Sequence, residues 1–140
     1  MILLDTNVLS ELMALAPSPR VLGWAARNMT DDMLATTVIS LSEIEYGLTC
    51  MPVGRRREGM LRRFAALSGA GFYSAVLSLD EWAARLAGQL RGQLKMKGLV
   101  ADPADMMIAA IARLAEAPLA TRNGRDFAET GVEIIDPWAA

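Results

Sequence analysis

Ile2-Leu3-Leu4-Asp5-Thr6-Asn7-Val8-Leu9 sets the pattern of the chain: a short aliphatic run, an acid where the run stops, then apolar residues resuming at helical spacing. A few aliphatic residues bounded by polar ones suit a buried strand, and the polar break suits a helix start. The unit recurs. Strands are expected at residues 2–4, 34–39, 73–79, 119–121 and 132–135. Helices are expected around 8–15, 20–28, 42–51, 55–67, 81–97 and 104–115, with a short one near 124–129. Parallel strands need long crossovers, which helices supply. The alternation therefore implies an α/β fold: a three-layer sandwich with a central, mostly parallel five-stranded sheet flanked by helices.

Two helical segments carry more detail. Trp82, Leu86, Leu90 and Leu94 recur every four residues and predict an apolar stripe that lies against the sheet. Met106-Met107-Ile108-Ala109-Ala110-Ile111-Ala112 is apolar nearly all round and predicts the central buried helix. Turns and caps are signalled at Pro17-Ser18-Pro19, Pro52-Val53-Gly54, Gly69-Ala70-Gly71, Asp102-Pro103 and Asn123-Gly124. None reads as a linker, and 140 residues with 53% hydrophobic content suit one domain over residues 1–140.

Composition excludes several chemistries. A net charge of −2 argues against nucleic-acid binding through a broad basic surface, so any contact with RNA must be local or metal-assisted. One cysteine, Cys50, and no histidine rule out an intrachain disulfide and the usual zinc sites. A hard-metal site built from oxygen ligands stays open. The apolar start is too short for a signal peptide, and no apolar stretch reaches the roughly 20 residues of a membrane span, so a cytoplasmic setting is expected.

In an open α/β sheet ligands bind at the carboxyl ends of the strands, which directs attention to Asp5. Asp5 or Thr6 also suits the N-cap of the next helix. Ser40-Leu41-Ser42-Glu43 reads as a capping box. In Asp102-Pro103-Ala104-Asp105, Asp102 suits an N-cap, Pro103 the first helical position, and Asp105 the positive end of the helix dipole. Each acid thus has a structural reading of its own. Together, Asp5, Glu43 and Asp105 fall at helix starts along one sheet edge. Converging carboxylates are costly unless a cation neutralises them, and oxygen-only clusters suit magnesium or manganese. Such a site supports phosphodiester hydrolysis by metal-activated water, with no nucleophilic side chain. Thr121, Asn123 and Asp126 follow the fourth strand as further polar candidates, or form a plain strand-to-helix turn. Thr6, Ser40 and Ser42 can position water or phosphate, or serve as caps.

Four blocks carry a resemblance to a known family: Leu4-Asp5-Thr6-Asn7-Val8-Leu9-Ser10-Glu11, Ser42-Glu43-Ile44-Glu45-Tyr46-Gly47, Asp105-Met106-Met107-Ile108-Ala109-Ala110, and Thr121-Arg122-Asn123 with Asp126-Phe127. In this order they resemble the motifs of VapC-like PIN-domain ribonucleases, toxins of type II toxin–antitoxin systems. Val132-Glu133-Ile134-Ile135-Asp136-Pro137-Trp138 is similar to the family's closing segment. The resemblance implies a Rossmann-like PIN fold and a divalent-metal-dependent endoribonuclease, with magnesium expected and manganese possible. It also implies a cognate VapB-like antitoxin and a homodimer. Asp5, Glu43 and Asp105 match its acidic positions and are the expected metal ligands. Many PIN domains place an aspartate where this chain has Asn123; Asn123 or Asp126 fills the fourth position, and Asn123 brings no charge to a second metal.

Arg55-Arg56-Arg57 with Arg62 and Arg63 form the densest positive cluster, either a short rail for an RNA backbone or a solvated helix face beside Glu58. Leu9, Leu12, Met13, Leu15, Val21, Leu22 and Trp24 either complete the core or leave a groove for a partner helix. Rival readings are weaker. A haloacid-dehalogenase-like phosphatase needs a second aspartate where Asn7 stands, and a receiver-like domain leaves Glu43 unexplained. A PIN domain with weakened catalysis, acting as an RNA- or protein-binding module, is the alternative that Asn123 keeps open.

Overall fold

The computed structural model describes residues 1–29, 34–69 and 71–140. Five strands, β1 (Ile2–Leu4), β2 (Leu34–Thr37), β3 (Ala75–Leu77), β4 (Leu119–Ala120) and β5 (Ile134–Ile135), form one sheet in the order β3-β2-β1-β4-β5. All four pairings are parallel, so the sheet is wholly rather than mostly parallel. The described helices are α1 (Thr6–Leu12), α2 (Pro19–Asn28), α3 (Val38–Cys50), α4 (Arg55–Gly69), α5 (Glu81–Met96) and α6 (Pro103–Leu114), with a 3-10 turn at Gly124–Phe127. None of them is long and apolar enough to cross a membrane. The Gly69-Ala70-Gly71 turn includes Ala70, which lies outside the described residues.

Alternation along β1 explains the two cores. Successive strand side chains point to opposite faces. Leu3 joins Ala35, Leu119, Phe127 and the buried residues of α5 and α6 on one face. Ile2 and Leu4 join Val8, Leu9, Val21, Trp24, Ile44 and Leu48 on the other. With helices on both faces, β1 is apolar throughout.

α6 is the central helix its composition implied, with Met106 and every residue from Ile108 to Ala112 buried. α5 departs from expectation. Trp82 is 68% exposed, and the buried positions are Ala83, Ala87, Leu90 and Leu94. Four residues span slightly more than one 3.6-residue turn, so a strict every-fourth stripe drifts around the helix. The 83-87-90-94 spacing follows the true period and packs α5 along α6.

β2 ends earlier and α3 starts earlier than expected. Thr37 is the N-cap, its hydroxyl accepting from Ser40 N at 3.1 Å, and Val38 and Ile39 are helical. The cap overrides the strand preference of two β-branched residues. Ser40 is therefore not the cap, and the Ser40–Glu43 capping box does not form. Among the candidate groove residues, Leu9, Met13, Val21 and Trp24 are buried and Leu12 is packed against them, whereas Leu15 and Leu22 stay exposed.

Candidate active site

β1 pairs with β2 on one side and β4 on the other, and connections from β1 leave toward β2. This is the topological switch point, where an open parallel sheet parts at its carboxyl end. Asp5 follows β1 there, and Thr121 follows β4. A cavity of about 490 Å³ opens at this point, lined by Asp5, Thr6, Asn7, Ser10, Glu11, Glu43, Asp105, Arg122, Asn123 and Trp138.

Asp5 is the fixed point, only 5% exposed. Its Oδ1 accepts from Thr6 N at 2.8 Å, which caps α1. Its Oδ2 accepts from Thr121 Oγ1 at 2.7 Å and Asn7 Nδ2 at 3.2 Å. Asn7 also donates to Thr121 Oγ1 at 3.1 Å, and Arg122 N donates to Asn7 Oδ1 at 3.2 Å. Burial raises the Asp5 carboxyl above its ordinary value, the hydrogen bonds from Thr121 and Thr6 oppose that, and nearby Asp126 adds to it.

Asp105 is half-buried in the first turn of α6. Asp102 takes the cap, its Oδ1 accepting from Ala104 N at 2.8 Å and Asp105 N at 3.2 Å. The Asp105 carboxyl is pushed up to about 7 by burial first, then by the charges of Asp102, Asp5, Asp126 and Glu43. Glu43 is exposed on the second turn of α3, and its Oε1 accepts from Thr6 Oγ1 at 2.8 Å. Three acids distant in sequence thus line one cavity, as expected.

Other candidates are placed less centrally. Asn123 is exposed at the rim, with its N–H bonded to Thr121 Oγ1 at 3.1 Å. Asp126 is exposed and outside the lining, though its charge reaches Asp5 and Asp105. Ser40 is buried against Thr37, Ser42 is exposed, and neither lines the cavity. Ser10, Glu11, Arg122 and Trp138 line it without having been singled out. The helical spacing 6-7-10-11 was a signal for the first two, one face of α1 turned to the strand end.

The donor set fits a divalent cation. It is all oxygen, and the burial and, after it, the neighbouring negative charges that raise Asp105 both penalise a bare carboxylate that a cation would neutralise. As they stand, no three of the described acidic or thiol groups are close enough to share one ion. Magnesium does not require that, because it takes one or two protein carboxylates and keeps several waters. Asp5 and Asp105, with Glu43 beside them, would hold it.

The chain is similar to known proteins along nearly its whole length. The family model for the PIN domain matches residues 2–133. The chain is 37% identical over 138 residues to the VapC ribonuclease Y4jK of Sinorhizobium fredii, covering 99% of this chain and 98% of that protein. It is 30% identical over 138 residues to the toxin FitB of Neisseria gonorrhoeae, 99% of each being covered. The crystal structure of FitAcB from Neisseria gonorrhoeae superposes with a TM-score of 0.83 at 31% identity, covering all of both chains.

Proposed function

This chain belongs to the PIN-domain family, and from that premise we propose that it is a VapC-type toxin: a magnesium-dependent endoribonuclease that hydrolyses RNA phosphodiester bonds and is held in check by a cognate antitoxin. The observation that carries the reading is the buried, hydrogen-bonded Asp5 facing Asp105 and Glu43 in one cavity at the switch point. When bound there, magnesium or manganese supplies Lewis acidity, an activated water and neutralisation of phosphate charge.

The chain's own residues prepare the site. Thr6, Thr121 and Asn7 lock both oxygens of Asp5 in orientation. The Asp105 carboxylate accepts no hydrogen bond from a described side chain, so it is free to face a ligand. Thr6 aims Glu43 toward the same space. Asn123 is a neutral oxygen ligand or a holder of water at the rim, and Asp126 acts through its charge from outside. One permanently held ion, rather than two, follows from the missing fourth charge.

A track leads away from the acids. A 130 Å³ cavity shares Thr6, Ser10 and Glu43 with the acidic cavity and reaches Met13, Met51 and Met60. Met60 also lines a third cavity of about 600 Å³ with Arg55, Arg56, Arg62 and Arg63. Arg63 is engaged with the Met13 carbonyl. Arg55, Arg56 and Arg62 are the rail that holds the RNA backbone locally, in keeping with a net charge of −2. The 140 residues act as one domain, and an antitoxin segment and a second copy of the chain complete the cytoplasmic assembly.

The test is cleavage of a mixed RNA pool with magnesium, with EDTA, and by folded Asp5→Asn and Asp105→Asn variants. Metal-dependent cutting lost in both variants is expected. Equal cutting by every form identifies a contaminant, and RNA binding without cutting assigns the chain to the weakened, binding-module reading that Asn123 favours.

A further inference from the structure

Arg122 stands in the wrong company for a free arginine. It lines the acidic cavity beside Asp5, Glu43 and Asp105, yet the ion pairs among the described residues are Arg85–Glu81 and Lys97–Glu129, so Arg122 reaches no carboxylate. Its guanidinium carbon sits instead 5.2 Å from the centroid of the Trp138 ring. That distance is within cation–π range. Trp138 is itself held, with its backbone N–H on Asp136 Oδ1 at 2.9 Å, its backbone carbonyl taking a bond from Arg20 at 3.4 Å, and its side chain packed against the apolar cluster beneath α1 and α2. The Arg122 backbone is tied down as well, through Asn7 Oδ1, which belongs to the network around Asp5.

A cation held off its neighbouring anions by an aromatic ring keeps all its donors for an incoming one. Guanidinium matches phosphate oxygens with a planar fork of N–H groups. Resting on the ribonuclease reading above, we propose that Arg122, restrained by Trp138, is a positioning residue that receives an RNA phosphate beside the scissile bond. The ring does two things: it fixes the plane of the fork, and it stops the guanidinium from collapsing onto the carboxylates and competing with the metal ion. The ligand is the backbone of single-stranded RNA, which the cavity needs a local cation to admit.

The experiment compares wild type, Arg122→Gln, Arg122→Lys, Trp138→Ala and Trp138→Phe. Binding of a short fluorescein-labelled single-stranded RNA is measured in EDTA across a salt series, and cleavage with magnesium is resolved into kcat and KM. In Arg122→Gln, KM rises about tenfold with kcat changed far less. The salt slope of binding falls by about 0.7, the loss of one phosphate contact on a single strand. Arg122→Lys recovers part of the affinity and Trp138→Phe most of it. Trp138→Ala weakens RNA binding and raises the magnesium needed for half-maximal cutting, and adding Arg122→Gln to it removes the second effect. Unchanged KM and salt slope in Arg122→Gln, while wild type cuts RNA, overturn this proposal alone. A loss that comes only with a lowered melting temperature makes the pair structural and also overturns it. Altered inhibition by the antitoxin with normal RNA binding assigns the pair to the protein partner and overturns it too. If wild type neither binds nor cuts RNA, the ribonuclease reading falls with it.

Discussion

Asp105→Asn should make the metal-free protein more stable while making it inactive. The Asp105 carboxyl moves from 3.8 to about 7 on folding without metal. Its folded value is raised, so in the window from about 4 to 7 the unfolded chain releases a proton that the folded chain keeps, and stability falls as pH rises. About three pKa units correspond to roughly 4 kcal/mol at full strength. Asp105 is only half-buried, and solvent screening reduces this to about 1–2 kcal/mol. Asparagine cannot ionise. In EDTA near neutral pH the variant should melt about 4–8 °C above wild type. The gain should shrink to under half near pH 5, because the proton that the folded Asp105 carboxyl keeps is bound more cheaply as pH falls, and nearly vanish at the ordinary carboxyl value, where the unfolded carboxylate protonates too. Magnesium should reverse the order, stabilising wild type by mass action and leaving the variant unmoved. The assay is thermal melting of both proteins by circular dichroism at several pH values, with EDTA and with magnesium. A variant that melts below wild type in EDTA at neutral pH, or whose advantage does not depend on pH, would refute the electrostatic account.

Three further outcomes bear on the same geometry. Thr121→Val removes the hydroxyl that donates to Asp5 and accepts from Asn7 and Asn123, so it should cost about 1–3 kcal/mol. It should also push the Asp5 carboxyl further up, moving the acid limb of the cleavage pH profile to higher pH. Thr37→Ala should destabilise the fold by about 1 kcal/mol through loss of the α3 cap, whereas Ser42→Ala at an exposed position should leave the melting temperature in place. Protons compete with metal at Asp105, so magnesium affinity measured by calorimetry should weaken by up to about tenfold per pH unit below about 7. An affinity flat from neutral to acid pH would remove Asp105 from the ligand set.

The architecture was legible because its signals are local and repeated. Each aliphatic run followed by a polar break marked a strand end, and Asp102-Pro103 marked the start of α6 by chemistry that context seldom overrides. Errors came where two local signals conflicted. Val38 and Ile39 favour strand, but Thr37 caps the helix that contains them, and one turn of displacement carried Glu43 from a capping role to the cavity. Leu86, Leu90 and Leu94 suggested a stripe through Trp82, where the 3.6 period instead runs through two alanines whose small side chains carry little signal. Arg122 and Trp138 were illegible for another reason. One looks like a turn cation and the other like a terminal aromatic until β4 and β5 pair in parallel, with Thr121 N bonded to the Ile135 carbonyl, and place both segments at the same end of the sheet.

The competition between cap and ligand, posed separately for each acid by the sequence, is resolved differently on two helices. On α6 the work is divided: Asp102 spends Oδ1 on two backbone N–H groups and lies outside the cavity, which leaves Asp105 without donors and exposed to the repulsion of its neighbours. On α1 one residue does both. Asp5 caps through Oδ1 and meets Thr121 and Asn7 through Oδ2, and since each carboxylate oxygen has about two lone-pair directions, Oδ1 keeps one for an ion. Capping in this case does not compete with ligation; it aims the carboxylate. Asp5→Asn should therefore keep the α1 cap, because an amide oxygen still accepts from Thr6 N, but its Nδ2 then faces the donors of Thr121 and Asn7, so the variant should fold with a melting temperature lowered by a few degrees and lose metal binding and cleavage. A variant that unfolds would make Asp5 a structural residue first, and one that binds magnesium normally would place the ion elsewhere.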